Sequence, residues 1–180
     1  MSYSRYFGMR SFENVVRSGR FRAPATGTPL KIGEPVVIDP DSTNNAFFKA
    51  AEAGDGPDAS CGVAIYEHIQ NKSDALTTSY DAPYDEIPLG QYAQMMRGPG
   101  TKVWFQNQAA KTLYDGRVRA AGGLLDATAA AAVTGGTLDI GTFLGPTGAG
   151  KYGTVLAAEA WMIVENVNPN TGVVEARLTF

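Results

Sequence analysis

Gly172-Val173-Val174-Glu175-Ala176-Arg177-Leu178-Thr179-Phe180 is β-prone, as is the run from Thr154 to Val167, and between them stands Asn168-Pro169-Asn170-Thr171. Asn and Pro are turn formers, so two such runs around that spacer predict a hairpin. In the later run Val174, Ala176, Leu178 and Phe180 alternate with Glu175, Arg177 and Thr179. A period of two puts one set on a buried face and the other on a wet one.

The same texture recurs outward from this hairpin. Lys102-Val103-Trp104-Phe105 reads as a strand delivered by Pro99-Gly100, and Cys61-Gly62-Val63-Ala64-Ile65-Tyr66 reads as a buried one. Leu30 to Asp39 reads as β structure broken at Gly33-Glu34-Pro35, just after the turn Thr26-Gly27-Thr28-Pro29. Residues 39–59 are mostly loop, with Phe47 to Ala51 fitting a strand or a short helix. Two stretches read as helical: Phe12 to Ser18, with Ser11 as N-cap and Gly19 as stop, and a turn through Tyr92 to Met96. Ala120 to Gly136 stays open, helix by its alanines and loop by its glycines.

Twenty-one Gly and ten Pro in 180 residues, with 18% charged, favour short segments between many turns. The 44% hydrophobic content is enough for a core. The expectation is therefore a mainly β fold, a small β-barrel or β-sandwich-like domain with an extended N-terminal arm and long loops. Residues 1–22 form the arm and 23–180 a single body, within which 71–136 is an inserted or projecting element. No apolar run reaches the ~20 residues that cross a bilayer, so the protein is read as one made in a cytoplasm and not held in a membrane.

The net charge of −3 is unevenly spread. Residues 1–22 carry five arginines against Glu13, a balance of +4, which leaves −7 on the rest. Such a split points to a basic arm whose partner is an acidic surface or a nucleic acid. Arginines there interleave with Tyr3, Tyr6, Phe7, Phe12 and Phe21, the composition of a segment that docks. A pI near 5.1 makes nucleic acid the weaker partner.

Catalytic constellations find little support. Gly145-Pro146-Thr147-Gly148-Ala149-Gly150-Lys151 has the spacing of a phosphate-binding loop. The position that would hold magnesium is Tyr152, and Gly153 to Val164 reads as strand where a helix is required, so the run is better read as a β-connection with Lys151 solvated. Asp39, Asp41, Thr43 and Asn45 alternate as calcium ligands would, but Asn44 and Ala50 stand where that loop needs Gly and Glu. The lone histidine, His68, is seven residues from the lone cysteine, Cys61, which on one strand means opposite faces and roughly 23 Å. Cys61 reads as a core residue, and neither a disulfide nor a Cys/His zinc site can be built. Asp85 and Glu86 sit in a polar stretch without the apolar surroundings that tune an acid. The reading is of a protein that is not an enzyme, with no metal, no cofactor and no small-molecule substrate.

Ala25-Thr26-Gly27, Leu30 to Ile38 and Cys61-Gly62-Val63-Ala64-Ile65 together resemble the small head-decoration (cement) proteins of tailed bacteriophages. The likeness covers about the first third of the chain and extends to its acidic, Gly- and Ala-rich texture. It implies a small β-barrel that binds the outer surface of a phage capsid, commonly as a homo-trimer, and clamps major capsid protein subunits where they meet. It also implies capsid binding by the N-terminal segment, here Arg5, Arg10, Phe12, Arg17, Arg20, Phe21 and Arg22. The alternatives are a tail-tube, head–tail connector or minor capsid protein and, more distantly, a nucleotide-binding enzyme using Gly145 to Lys151.

Overall fold

The computed structural model describes residues 7–9, 16–24, 27–39, 47–58, 60–65, 86–87, 89–90, 92–106, 111–112, 118–119 and 123–180. Its strands are β1 (Phe7–Met9), β2 (Val16–Arg22), β3 (Leu30–Lys31), β4 (Pro35–Ile38), β5 (Phe48–Ala50), β6 (Cys61–Ile65), β7 (Glu86–Ile87) and β8 (Tyr92–Arg97). They continue with β9 (Lys102–Gln106), β10 (Lys111–Thr112), β11 (Val118–Arg119), β12 (Phe143–Gly148), β13 (Lys151–Thr154), β14 (Met162–Asn168) and β15 (Val173–Leu178). The helix α1 spans Ala127–Thr134.

The C-terminal hairpin forms as expected. β14 and β15 pair antiparallel from Met162 opposite Leu178 to Asn168 opposite Val173. Asn168 closes the turn by accepting at Oδ1 from the Asn170 and Thr171 amides, at 3.1 and 3.2 Å. Val174, Ala176, Leu178 and Phe180 are buried. On the wet face Glu165 pairs with Lys102 and Arg177, each at 3.0 Å. The first run is shorter than read: β13 ends at Thr154, a 3-10 turn covers Ala157–Glu159, and β14 begins only at Met162.

This hairpin sits inside a six-stranded sheet of order β1-β9-β15-β14-β12-β13, and a second sheet has the order β2-β8-β6-β4-β5. All their strand pairs are antiparallel. The fold is mainly β, with the two sheets sharing one apolar core that holds Phe48, Met95, Met96, Phe105, Leu144, Tyr152 and Trp161. The arrangement is compatible with a sandwich, and among the described residues neither sheet closes into a barrel. A single parallel bridge between Arg22 and Phe47 brings the ends of the five-stranded sheet together. Polar links also tie the core: Trp161 Nε1 donates to the Asp55 carbonyl at 2.9 Å, and Tyr152 Oη to the Gly33 carbonyl at 3.0 Å.

Three local expectations need correction. Val16 to Ser18 is strand and not helix, because the segment finds a partner in β8, with a register shift between Arg17 and Arg20 absorbing Ser18-Gly19. Residues 11–15 lie outside the described residues. Tyr92 to Met96 is also strand: its Ala, Gln and Met have helical propensity, but Ala93 and Met95 alternate into the core and the strand is wedged between β2 and β6. Finally β8 and β9, both within 71–136, are interior strands of the two sheets, so that range is not a single projecting element. Gly98-Pro99-Gly100 carries the chain from one sheet to the other, with φ of 142° and 84° at the glycines and the Gly98 and Gly100 amides donating to the Phe180 and Leu178 carbonyls. In Ala120 to Gly136 the helix prevails from Ala127, after Asp126 caps it by accepting from the Ala129 amide at 2.8 Å.

Candidate functional site

Two regions carry the residues that the sequence singles out, and they differ in what their side chains do. In the first, β12 and β13 make a tight hairpin with Gly148 opposite Lys151 and Ala149-Gly150 as its two-residue turn. Both turn residues have positive φ, 49° and 69°, which suits the twist of a two-residue hairpin. The phosphate-loop spacing is thus strand, turn and strand, with no helix whose amides could gather on a phosphate.

Its glycines serve packing. A Cβ on Gly145 would lie 2.6 Å from the Glu159 carbonyl oxygen, because the segment after β13 arches over it. One on Gly153 would lie 2.0 Å from Asp126 Oδ2 and 2.6 Å from Thr147 Cγ2, so this glycine makes room for the cap of α1. One on Gly150 would meet the carboxylate of buried Glu34 at 2.6 Å. Lys151 is half-buried rather than solvated, and its ammonium donates to the Gly123 carbonyl. Burial first, then the charge of Lys31, pulls it below the usual lysine range, against Glu34 acting the other way. A lysine held to a backbone carbonyl in this way is not presented to a nucleotide.

In the second region the chain's basic segment is built into sheet edges. β1 is the end strand of the six-stranded sheet, paired with β9 through Phe7–Phe105, Gly8–Trp104 and Met9–Val103. β2 is the end strand of the five-stranded sheet, with Arg17 opposite Met96, Arg20 opposite Gln94, Phe21 opposite Ala93 and Arg22 opposite Tyr92. Of the docking residues expected from sequence, Arg17, Arg20, Phe21 and Arg22 are therefore on one edge strand, while Arg5, Arg10 and Phe12 lie outside the described residues. Arg22 is exposed, and its guanidinium stacks 5.1 Å from the centroid of the Tyr92 ring. Tyr92 is not among the docking residues that the sequence singles out, because Tyr92 to Met96 reads there as a helical turn. The signal available was its alternation with Ala93 and Met95.

The remaining candidates resolve simply. Cys61 is buried on β6, its Sγ donates to the Asp58 carbonyl at 2.9 Å, and burial pushes the thiol up to about 11. His68, Asp85 and the stretch 40–46 lie outside the described residues. A cleft of about 550 Å³ opens between β4, β5, residues 52–58 and Ser60. Its carboxylates brace the loop itself: Asp55 accepts from the Glu52 amide, and Asp58 accepts from the Ser60 amide and hydroxyl. Among the described residues no group of three His, Cys, Asp or Glu is placed to hold a metal ion, and no helix is long and apolar enough to cross a membrane. No family model matches the chain, and no curated protein is similar to it.

Proposed function

We propose that this chain is a non-catalytic virion structural protein that binds the outer surface of a phage capsid as a trimer and braces contacts between major capsid subunits. The observation that carries the reading is the segregation of charge: a molecule of net charge −3 places three arginines and no acid on the seven-residue edge strand β2. Edge strands are the natural margin of contact with another chain, and opposite charge steers and orients such a contact. Many copies on one lattice multiply an individually weak attachment. The resemblance to head-decoration proteins supports the same reading, and the two stretches that bear most of it, in β4 and β6, pair with each other through Pro35–Val63, Val36–Gly62 and Val37–Cys61.

The test is to mix purified protein with capsids lacking it, image the particles and count copies at each symmetry position. Density at equivalent positions over the whole outer shell is the expected result. Density at one vertex or along the tail would replace this reading with a connector or tail protein, and no binding would remove it. Deleting residues 1–22 is a poor control, since it strips an edge strand from each sheet; single arginine substitutions leave the sheets intact.

A further inference from the structure

We infer that the exposed face of the β2–β8 pair, centred on Arg22 and Tyr92 with Leu89 at its rim, is a docking patch for an acidic protein segment, bound through side chains because the backbone edge of β2 at Arg22 already bridges Phe47. This deepens the attachment reading and rests on it only for the identity of the partner. β2 carries Arg17, Arg20 and Arg22 and no Asp or Glu, whereas Arg97, at the far end of β8, stacks over Phe180. The strand thus holds +3 within a chain of −3, and the other residues sum to −6.

The patch is preassembled. Tyr92 is 51% exposed although it lies on an interior strand, and Leu89 is 37% exposed in the turn just before it. The Gly90 amide donates to the Pro24 carbonyl at 2.9 Å, which holds that turn beside the exit of β2. Stacking on Tyr92 already orients Arg22, so less conformational freedom remains to be lost when a partner binds. Tyr and Arg are the residue types that dominate binding energy at protein interfaces, and their planar groups suit carboxylates.

The charge also selects the partner. A second copy meeting this edge with its own would set arginine against arginine, which disfavours self-pairing here. A nucleic acid would present a long anionic backbone to a molecule that is otherwise acidic, whereas a short acidic segment needs only the patch.

The experiment uses the full chain and fluorescence anisotropy with a labelled peptide of alternating Glu and Val, beside an alternating Lys and Val peptide and an oligothymidine. Binding of the Glu–Val peptide is expected, weakened about 30-fold by Tyr92→Ala, the effect of losing a hot spot, and abolished by Arg22→Glu. Both positions are exposed, and unchanged melting of each variant shows that folding is intact. No binding of the Glu–Val peptide, equal binding by both variants, or tighter binding of oligothymidine would overturn the inference. The two readings fail separately: capsids that retain Arg22→Glu at full occupancy sink the patch alone, and peptide binding without capsid binding sinks the attachment alone.

Discussion

The β12–β13 hairpin and the β2–β8 edge are both rich in glycine or arginine, and both invite a functional reading, yet they spend these residues in opposite directions. In the hairpin, Gly145, Gly150 and Gly153 let the chain cross itself, and Lys151 turns inward to a carbonyl. At the edge, Arg22 and Tyr92 face outward and engage each other, with much of the tyrosine left open. A phosphate-loop spacing gains meaning only from the strand-turn-helix around it, and a cationic strand gains meaning from lying at a sheet margin.

The largest effect should come from crowding the hairpin. Gly153→Ala pushes a methyl into the Asp126 carboxylate and Thr147, and should cost about 3 kcal/mol in urea unfolding. Next, Tyr152→Phe removes the hydroxyl that donates to the Gly33 carbonyl and should cost about 1–2 kcal/mol. That substitution also has a pH signature. Burial, then the charges of Glu34 and Cys61, raises the Tyr152 phenol well above its ordinary value of 10.0. The unfolded chain therefore releases this proton first, and stability falls as pH climbs past that value. Unfolding measured from pH 8 upward should fall less steeply in Tyr152→Phe, and an unchanged slope would contradict the assignment.

Smaller still, Asp126→Ala should cost about 1 kcal/mol by uncapping α1. Combined with Gly153→Ala it should recover part of that variant's loss, because the clash is with the deleted carboxylate. At the bottom of the order, Arg22→Glu and Tyr92→Ala should change stability by less than about 0.5 kcal/mol. A large loss there would mean that the edge serves the fold, as the hairpin does.

Much of the fold was legible where side chains alternate cleanly. The hairpin at Asn168 follows from period and turn residues, whereas β6, buried at all five positions, is legible as a short apolar run and the split of Leu30–Asp39 into β3 and β4 as a break at Gly33-Glu34-Pro35. Val16–Ser18 and Tyr92–Met96 were misread because their local propensity leans toward helix and only the pairing of β2 with β8 decides otherwise. The site was half legible: charge pointed to the basic segment, but the exposure of Tyr92 and Leu89 depends on which strand lies beside β2. The packing roles of Gly145 and Gly153 had no signal in one sequence, since the groups they accommodate, at Glu159 and Asp126, are 14 and 27 residues away.

The central claim is that this protein works through its basic edge and not through its glycine-rich hairpin, and side-by-side capsid attachment of Arg22→Glu and Lys151→Ala tests it most directly. Co-sedimentation with capsids lacking the protein should show Arg22→Glu left in the supernatant and Lys151→Ala bound at wild-type occupancy. Retention of Arg22→Glu together with loss of folded Lys151→Ala would contradict the account and return the hairpin to the centre of the function.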